Sequence, residues 1–219
     1  CLNMAGLSGR DIMYDQNNRY NLRIRRMLEN IYTSYDGDRG TIGWDKFETY
    51  LKRIWFSNGI HHHYSNKKHD PKFTADYFNH LLSSTSTECS EELRSVIFDP
   101  TVDAKKVEQD GNLGLVESSS VNFYGPGVTT EEAQEYFASI KVEGDRSPVE
   151  YGLNSRLVKT ESGEIVEEVY KLDGLYSDAI KEIIKWLNEA QNYTENEKQS
   201  IALAHLIDYY ETGDLEKWS

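Results

Sequence analysis

The sequence contains little cysteine and no long apolar run. There are two cysteines, Cys1 and Cys89, in 219 residues. They allow one bridge, which excludes a fold held together by a disulfide framework. No apolar stretch approaches the length that spans a membrane. The chain is long enough to bury a core without metal or disulfide bridges, and its length suits one large domain or two small ones.

Positive charge is also scarce. Asp and Glu number 37 and Lys and Arg number 24, which gives a formal net charge of -13 at pH 7. This charge repels phosphate groups, so it argues against nucleic acid and against anionic membrane surfaces as partners. Charged residues make up 28% of the chain and hydrophobic residues 38%. That composition is typical of a soluble globular protein.

The chain begins at Cys1 with neither an initiator Met nor a signal peptide. A mature bacterial lipoprotein would also begin with cysteine, but it usually opens with a flexible polar linker. Residues 1–7 are instead apolar and are similar to the tail of a helix. We therefore expect a truncated or processed chain.

A run of histidines is the most distinctive part of the sequence. His61, His62 and His63 are three of the six histidines, and Tyr64 follows them directly. An amphipathic helical pattern precedes the run and ends at residues 57–59. Imidazoles transfer protons and bind metals near neutral pH. Loops after a helix end often carry function, so this segment is the first candidate for a site.

Three interpretations of the histidine run remain open. It is a zinc site, a solvated or packed histidine loop, or a loop that contacts a peptide. Spacing argues against zinc, because in an extended segment His61 and His63 share one face and His62 takes the other. A tetrahedral site needs three or four converging ligands. His69 or Asp70 would complete such a site only if the loop folded back.

Other catalytic patterns are absent from the sequence. It contains no Gly-rich phosphate loop, no His-Glu-x-x-His helix and no Gly-x-Ser-x-Gly elbow. Cys89 lies among glutamates, which would raise its thiol pKa and so disfavour a nucleophile. Glu167 and Glu168 are neighbours on a predicted strand and therefore point to opposite faces. No residue of the chain is predicted to be catalytic or to bind a metal.

Apolar residues at helical spacing predict several helices in the first hundred residues. These helices span residues 21–32, 44–56, 74–82 and 90–98. Phe47, Tyr50, Leu51, Ile54 and Trp55 are predicted to form the apolar face of the second. A polar, loop-rich segment then covers residues 101–120.

The remainder mixes strands with helices. Residues 122–128 predict a short strand and a tight turn, and Thr129 with Glu132 predicts a capping box before a helix over residues 130–140. A β-hairpin is predicted from residues 155–160 and 164–170, with Gly163 in its turn. Two apolar stripes then predict an antiparallel helical hairpin whose second helix starts at another capping box, residues 194–197. Leu215 is predicted to begin a further helical turn.

Four blocks of the sequence resemble dipeptidyl peptidase III, a family of zinc metallopeptidases, in its bacterial version. Their order and spacing run through nearly the whole chain. The blocks are residues 55–59 with 61–64, residues 121–124 with 128–133, Tyr151 with residues 154–157, and residues 179–193 with 195–217.

The chain also departs from the pattern of that family. The zinc motif His-Glu-x-x-Gly-His and the later glutamate ligand of the family do not occur in these residues. The resemblance is therefore to the N-terminal part of the lower, mixed α/β lobe, which supports one wall of the substrate cleft. It implies that zinc belongs to the intact enzyme and not to this chain. In that enzyme, zinc-activated water would attack the second peptide bond and release a dipeptide.

These patterns, together with the resemblance, predict an α+β fold that is mostly helical, with a small and mainly antiparallel sheet. We expect a single domain or fragment over residues 1–219, with a helical part over 1–100, strands, loops and one helix over 101–174, and a helical hairpin over 175–219. The expected partners are an oligopeptide substrate and the remaining part of the same enzyme. Weak self-association is also expected. Cytoplasmic and periplasmic locations both remain open.

Five residues are predicted to contact the peptide, because imidazole and phenol groups hydrogen-bond an extended backbone and stack on side chains. They are Asn58, His61, His62, His63 and Tyr64. Animal members of the family carry small and aromatic residues in place of the histidines. The alternative to an enzyme is a stand-alone, non-catalytic module that binds peptides or proteins.

Overall fold

The computed structural model describes residues 1–144 and 149–217 and confirms the α+β prediction, with helices dominant and one two-stranded antiparallel sheet in the described part. The helices are α1 (Leu2–Ser8), α2 (Arg10–Asn17), α3 (Asn21–Ser34), α4 (Ile42–Ser57), α5 (Ala75–Ser84), α6 (Glu91–Phe98), α7 (Thr130–Ile140), α8 (Ser177–Gln191) and α9 (Glu197–Thr212). The strands are β1 (Ser155–Lys159) and β2 (Ile165–Val169), and short 3-10 turns occupy Gly111–Leu113 and Leu215–Lys217.

The chain forms two compact units. The central unit is Tyr14–Asn122, and the terminal unit joins Cys1–Met13 to the chain from Phe123 onward. The sequence-based subdivision at residues 100 and 174 differs from this one. The difference arises because the polar loop after α6 packs back onto the central helices. Asn18 Nδ2, for example, donates to Asp103 Oδ2 at 2.7 Å and to the Ser120 carbonyl at 3.2 Å.

The four helices predicted in the first hundred residues are confirmed as α3 to α6, with ends shifted by at most two residues. Side-chain oxygens of Thr41, Thr74 and Ser90 accept hydrogen bonds from the first turns of α4, α5 and α6. Such caps satisfy amides that have no partner inside the helix. Hydroxyl residues therefore determine where each of these helices begins.

The core of the central unit is aromatic and aliphatic. Its largest fully buried side chains are Ile24, Leu28, Ile31, Phe47, Tyr50, Leu51, Ile54, Ile60, Phe78, Leu81 and Ile97. Trp55 was predicted on the buried face of α4, but it is 37% exposed. Its indole N–H donates to Glu29 Oε1 at 2.8 Å. The prediction was wrong because a polar partner on α3 holds the indole at the margin of the core.

The small sheet lies in the terminal unit, where β1 and β2 pair antiparallel as predicted, with Ser155 opposite Val169. Gly163 has φ +87° in the turn. The predicted strand over residues 122–128 does not form. Only Tyr124 pairs, through an isolated parallel bridge to Leu157, because the chain turns again at Gly127, with φ +81°.

Helices α8 and α9 form the predicted hairpin, and α1 packs against α8. The capping box at Thr129 and Glu132 is confirmed before α7. The predicted box at residues 194–197 was wrong in its register. Asn196 is the cap, and its side chain accepts from Gln199 N. Asparagine caps as well as threonine does, so the next such residue along the chain begins the helix.

The helical turn predicted at Leu215 forms, and Ser219 lies outside the described residues, as does Trp218. Cys1 and Cys89 are both free thiols. Among the described helices, none is long and apolar enough to cross a membrane.

Candidate functional site

The site begins at the end of α4, in the central unit. Asn58 ends the helix in the left-handed conformation, with φ 50° and ψ 42°. Its carbonyl accepts a hydrogen bond from Asn17 Nδ2 at 3.1 Å. Asparagine tolerates this conformation better than most residues with a Cβ atom. The predicted contact residue Asn58 is therefore half-buried and directs the chain into the histidine run.

Asn21 of α3 holds the first residues after the helix. Its Oδ1 accepts from Ile60 N at 3.0 Å and its Nδ2 donates to the Tyr14 carbonyl at 3.1 Å. Gly59 has φ +146°, and a Cβ atom there would lie 2.1 Å from Asn21 Nδ2. Only glycine allows the backbone to pass this close to the amide.

Residues 60–69 fold back on themselves, and we call them the histidine hairpin. His61 pairs antiparallel with Lys68, His62 N donates to the Lys67 carbonyl at 2.9 Å, and His69 N donates to the Ile60 carbonyl at 2.8 Å. Asn66 closes the tip with φ 58°, and its N–H donates to the His62 carbonyl at 2.9 Å. From the sequence, we considered a loop that folds back only as a requirement for a zinc site. This hairpin was therefore not predicted.

A third segment supports the far side of the hairpin. Lys67 pairs with Lys105, and Lys68 N donates to the Ala104 carbonyl at 3.1 Å. The Lys68 ammonium donates to the carbonyls of Val96, at 2.9 Å, and Val102, at 2.5 Å. A cation is favourable at the C-terminal end of a helix such as α6. These contacts fix the hairpin to the helical core.

His61 lies inside the unit and is only 2% exposed. Its Nε2 donates to the Asp103 carbonyl at 2.7 Å, and Ser120 Oγ lies 3.3 Å from the same nitrogen. Burial lowers the pKa of His61 below its ordinary value, and the Asp103 carbonyl opposes that shift. The structure thus separates His61 from the surface residues, and its neutral imidazole anchors the base of the hairpin.

The other members of the run form a surface. His62 is exposed and His63 is half-buried, while Tyr64 is 82% exposed. The rings of His62 and His63 stack at 5.3 Å, and Phe56 of α4 lies edge-on to His63 at 5.2 Å. We call these four side chains the aromatic face. It offers rings for stacking and polar atoms for hydrogen bonds, which is the chemistry that an extended peptide requires.

His69 lies below this face and is buried. Ser57 Oγ is 3.2 Å from its Nε2, and the His62 ring is 6.0 Å away. Burial, followed by the positive charges of Arg53 and of the neighbouring histidines, lowers the pKa of His69 to about 4. His69 is therefore neutral at physiological pH.

The residues present do not fit a zinc ion. No group of three or more His, Cys, Asp or Glu side chains within residues 1–144 and 149–217 is placed to hold a metal. His61 uses Nε2 for the Asp103 carbonyl, and His62 Nδ1 accepts from the N–H groups of Tyr64 and Ser65 at 3.3 and 3.2 Å. These nitrogens are therefore engaged by the protein itself.

Two further predictions concern side chains away from the hairpin. The pKa of the Cys89 thiol is raised, as predicted, but burial is the main cause and Glu91 contributes less.

Glu167 and Glu168 do point apart: Glu167 Oε2 accepts from the Tyr136 hydroxyl at 3.1 Å, whereas Glu168 pairs with Arg156 at 2.5 Å. Neither glutamate is placed for acid–base work with the other.

Asn21, Phe56 and His69 were not predicted as parts of the site. For Phe56 a signal was available, because Thr49, Arg53 and Phe56 recur at helical spacing beside the apolar face of α4. His69 was considered only as a possible zinc ligand of a loop that folds back. Asn21 had no such signal, since it acts on a segment 39 residues away in sequence.

Comparison with known families supports the resemblance found in the sequence. The family model of peptidase family M49 matches residues 106–219, slightly more than half of the chain. A comparison with curated proteins found no match. The matched residues begin after the histidine hairpin, so the match gives no role to the aromatic face. It confirms the resemblance at the level of the family. The chain therefore belongs to peptidase family M49, the dipeptidyl peptidase III family.

Proposed function

We propose that this chain is part of a zinc-dependent exopeptidase that releases dipeptides from the N-terminus of oligopeptides. Membership of a peptidase family supports the hydrolytic activity. The main observation in favour of a role for this segment in peptide binding is the aromatic face, where Phe56 is 76% and Tyr64 is 82% exposed. Exposed aromatic side chains grouped on one surface typically mark a binding site.

In this proposal the aromatic face forms one wall of the substrate cleft. His62, His63 and Tyr64 contact the peptide through stacking and hydrogen bonds. Asn58 and His61, which are half-buried and buried, act as positioning residues that hold the hairpin against α4 and the Asp103 segment. The remaining part of the enzyme supplies zinc and the general base, so this chain alone is inactive.

The proposed contact between the aromatic face and the peptide is tested with the variant Tyr64→Ala of the complete enzyme. Loss of a stacking ring should raise KM about fivefold to tenfold and leave kcat nearly unchanged, because binding in the ground state and the transition state is lost together. Tyr193→Ala is the matched control, since Tyr193 is 77% exposed but lies in the terminal unit. Equal kinetics for Tyr64→Ala and the parent enzyme would contradict the proposal.

The inactivity of the chain alone is tested with a dipeptidyl-naphthylamide and added zinc. We expect the background rate, and zinc well below one equivalent after mild chelation, because a structural zinc site resists removal. Turnover by the pure chain that a chelator abolishes would contradict this part of the proposal.

A second candidate is a non-catalytic module that binds peptides. The aromatic face favours it, because Phe56 and Tyr64 are exposed for binding without any contribution from a metal. The mass of the native protein in cell extract separates the two. A species of 25.3 kDa, the mass of this chain, would support the module. A larger polypeptide that contains a zinc motif would support the enzyme.

A further inference from the structure

An open pocket lies beside the histidine hairpin, within the central unit. The last turns of α4 form one side of it and the hairpin forms the other, and its volume is about 680 Å³. Pockets of that size hold small ligands or a few residues of a peptide. The side chains that matter for its chemistry are Lys52, Arg53, Phe56, His62 and His69.

The pocket carries a positive charge that no ion pair within residues 1–144 and 149–217 neutralises. Lys52 pairs with Glu48 at 2.8 Å, and the nearby Asp70 pairs with Lys72 at 2.6 Å. Arg53 is exposed and forms no hydrogen bond or ion pair with any residue of the described ranges. In a chain of net charge -13, an unpaired guanidinium on the wall of a pocket is a specific attraction for an anion.

The acidic residue near Arg53 is already engaged. Lys72 is the main cause of the lowered pKa of Asp70, through hydrogen bonds from its ammonium and its backbone N–H, and Arg53 contributes less. The guanidinium of Arg53 therefore acts on Asp70 only at a distance, which leaves its N–H groups available to a ligand.

His62 adds a hydrogen-bond donor to the pocket. His62 Nδ1 accepts from two backbone amides, so in the neutral ring the proton is on Nε2, which is then a donor. His69 is held neutral, and Arg53 is the largest contributor to that shift after burial. Arg53 therefore acts on the interior of the pocket electrostatically.

We propose that this pocket binds a carboxylate group of a peptide ligand, with Arg53 as the principal partner. The guanidinium fork matches a carboxylate in a bidentate arrangement. Phe56, 76% exposed, gives an apolar surface for the carbon atoms next to that carboxylate. The choice of a peptide as the ligand rests on the proposed function, whereas the binding site itself does not.

A carboxylate fits the pocket better than a phosphate does. Among the residues that line it, Arg53 is the one cation without an ion pair in the described ranges, and the C-terminal end of α4, with its partial negative charge, contributes to the wall. Phosphate sites typically use several cations or the amides of a helix N-terminus. A singly charged ligand matches the charge available here.

The test follows the imidazole Cε1 protons of His62 and His69 by NMR at neutral pH and low salt. The probes are a tripeptide blocked at both ends with a central glutamate, an all-alanine tripeptide with a free C-terminus, a blocked glutamine peptide and inorganic phosphate. We expect a saturable shift with at least one carboxylate peptide and none with the glutamine peptide. Which of the two peptides binds identifies the source of the carboxylate.

Variants assign the binding to Arg53. Arg53→Gln should weaken binding about tenfold or more, as expected for a lost charge-assisted hydrogen bond, and Arg53→Lys should weaken it less. Lys46→Gln is the matched control, because it removes one charge from an exposed position of α4 outside the pocket. It should change affinity less than about twofold, because a remote surface charge is largely screened.

Several results would overturn the proposal. They are the absence of a saturable shift with both carboxylate peptides, tighter binding of phosphate, or equal losses in Arg53→Gln and Lys46→Gln. None of these measurements needs peptidase activity. A failure of carboxylate binding is thus distinguishable from a failure of the proposed function.

Discussion

Asn21 Oδ1 accepts a hydrogen bond from the backbone N–H of Ile60 at 3.0 Å, across 39 residues of sequence. The same amide donates to the Tyr14 carbonyl at 3.1 Å, and both bonds are buried. One side chain of α3 thus fixes the point where the histidine hairpin leaves α4. The position of the aromatic face depends on this contact.

Replacing Asn21 with alanine should lower the free energy of unfolding by about 1–3 kcal/mol, because the buried Ile60 N–H loses its partner and the Tyr14 carbonyl keeps only the bond from Asn18 N at 3.3 Å. Urea unfolding of the chain measures the effect. Asn30→Ala is the control, since Asn30 is exposed on the same helix and donates to Thr87 Oγ1. If Asn21→Ala costs no more than Asn30→Ala, the amide does not hold the hairpin.

Gly59→Ala should cost about 2 kcal/mol or more, because the new Cβ meets Asn21 Nδ2 and the backbone has positive φ. Gly111→Ala should cost little, since nothing lies within 4 Å of a Cβ atom there. The double variant Asn21→Ala/Gly59→Ala should lose less stability than the sum of the losses in the two single variants, because the shorter side chain at position 21 relieves the clash. Strict additivity would show that the two residues do not compete for the same space.

The low pKa of His69 predicts a pH dependence of stability. Its pKa falls from 6.5 in the unfolded chain to about 4 in the folded one, so the unfolded state binds a proton first as the pH decreases. The contribution of neutral His69 to the free energy of unfolding is complete above pH 6.5. It is lost as the pH falls towards 4, and the loss is about 3 kcal/mol at most.

His69→Gln should remove that part of the acid sensitivity, which unfolding curves measured from neutral pH down to the folded-state pKa of about 4 would show. The control is His205→Gln, because His205 is exposed on α9. Parallel pH profiles for His69→Gln and the parent chain would show that His69 titrates normally in the folded state.

Weak self-association is predicted from the sheet. Residues 123–125 cover one edge of β1, where Leu157 N donates to the Phe123 carbonyl at 3.0 Å. No strand of the described ranges pairs with the far edge of β2. Open edges recruit other chains, and salt screens the opposing charge beyond ~10 Å. Sedimentation should show a reversible increase in mass with concentration and salt, and a strictly monomeric chain under all conditions would refute this.

The sequence by itself determined helices α3 to α9, the β-hairpin and the family, whereas α2 was not predicted. Apolar spacing and hydroxyl caps act within a few residues, so α3 to α7 were located to within two residues of their ends. The register of the cap at Asn196 was missed because neighbouring residues cap equally well. Trp55 was misplaced because periodicity does not show a polar partner on another helix.

Tertiary structure alone decided the arrangement of the site. The sequence grouped Asn58 with the three histidines and Tyr64, but contacts with Asp103 and Ser120 take His61 into the interior. The pairing of residues 60–62 with 67–69 leaves His62 and Tyr64 at the surface. Burial depends on segments far apart in sequence, whose hydrogen bonds no local pattern specifies.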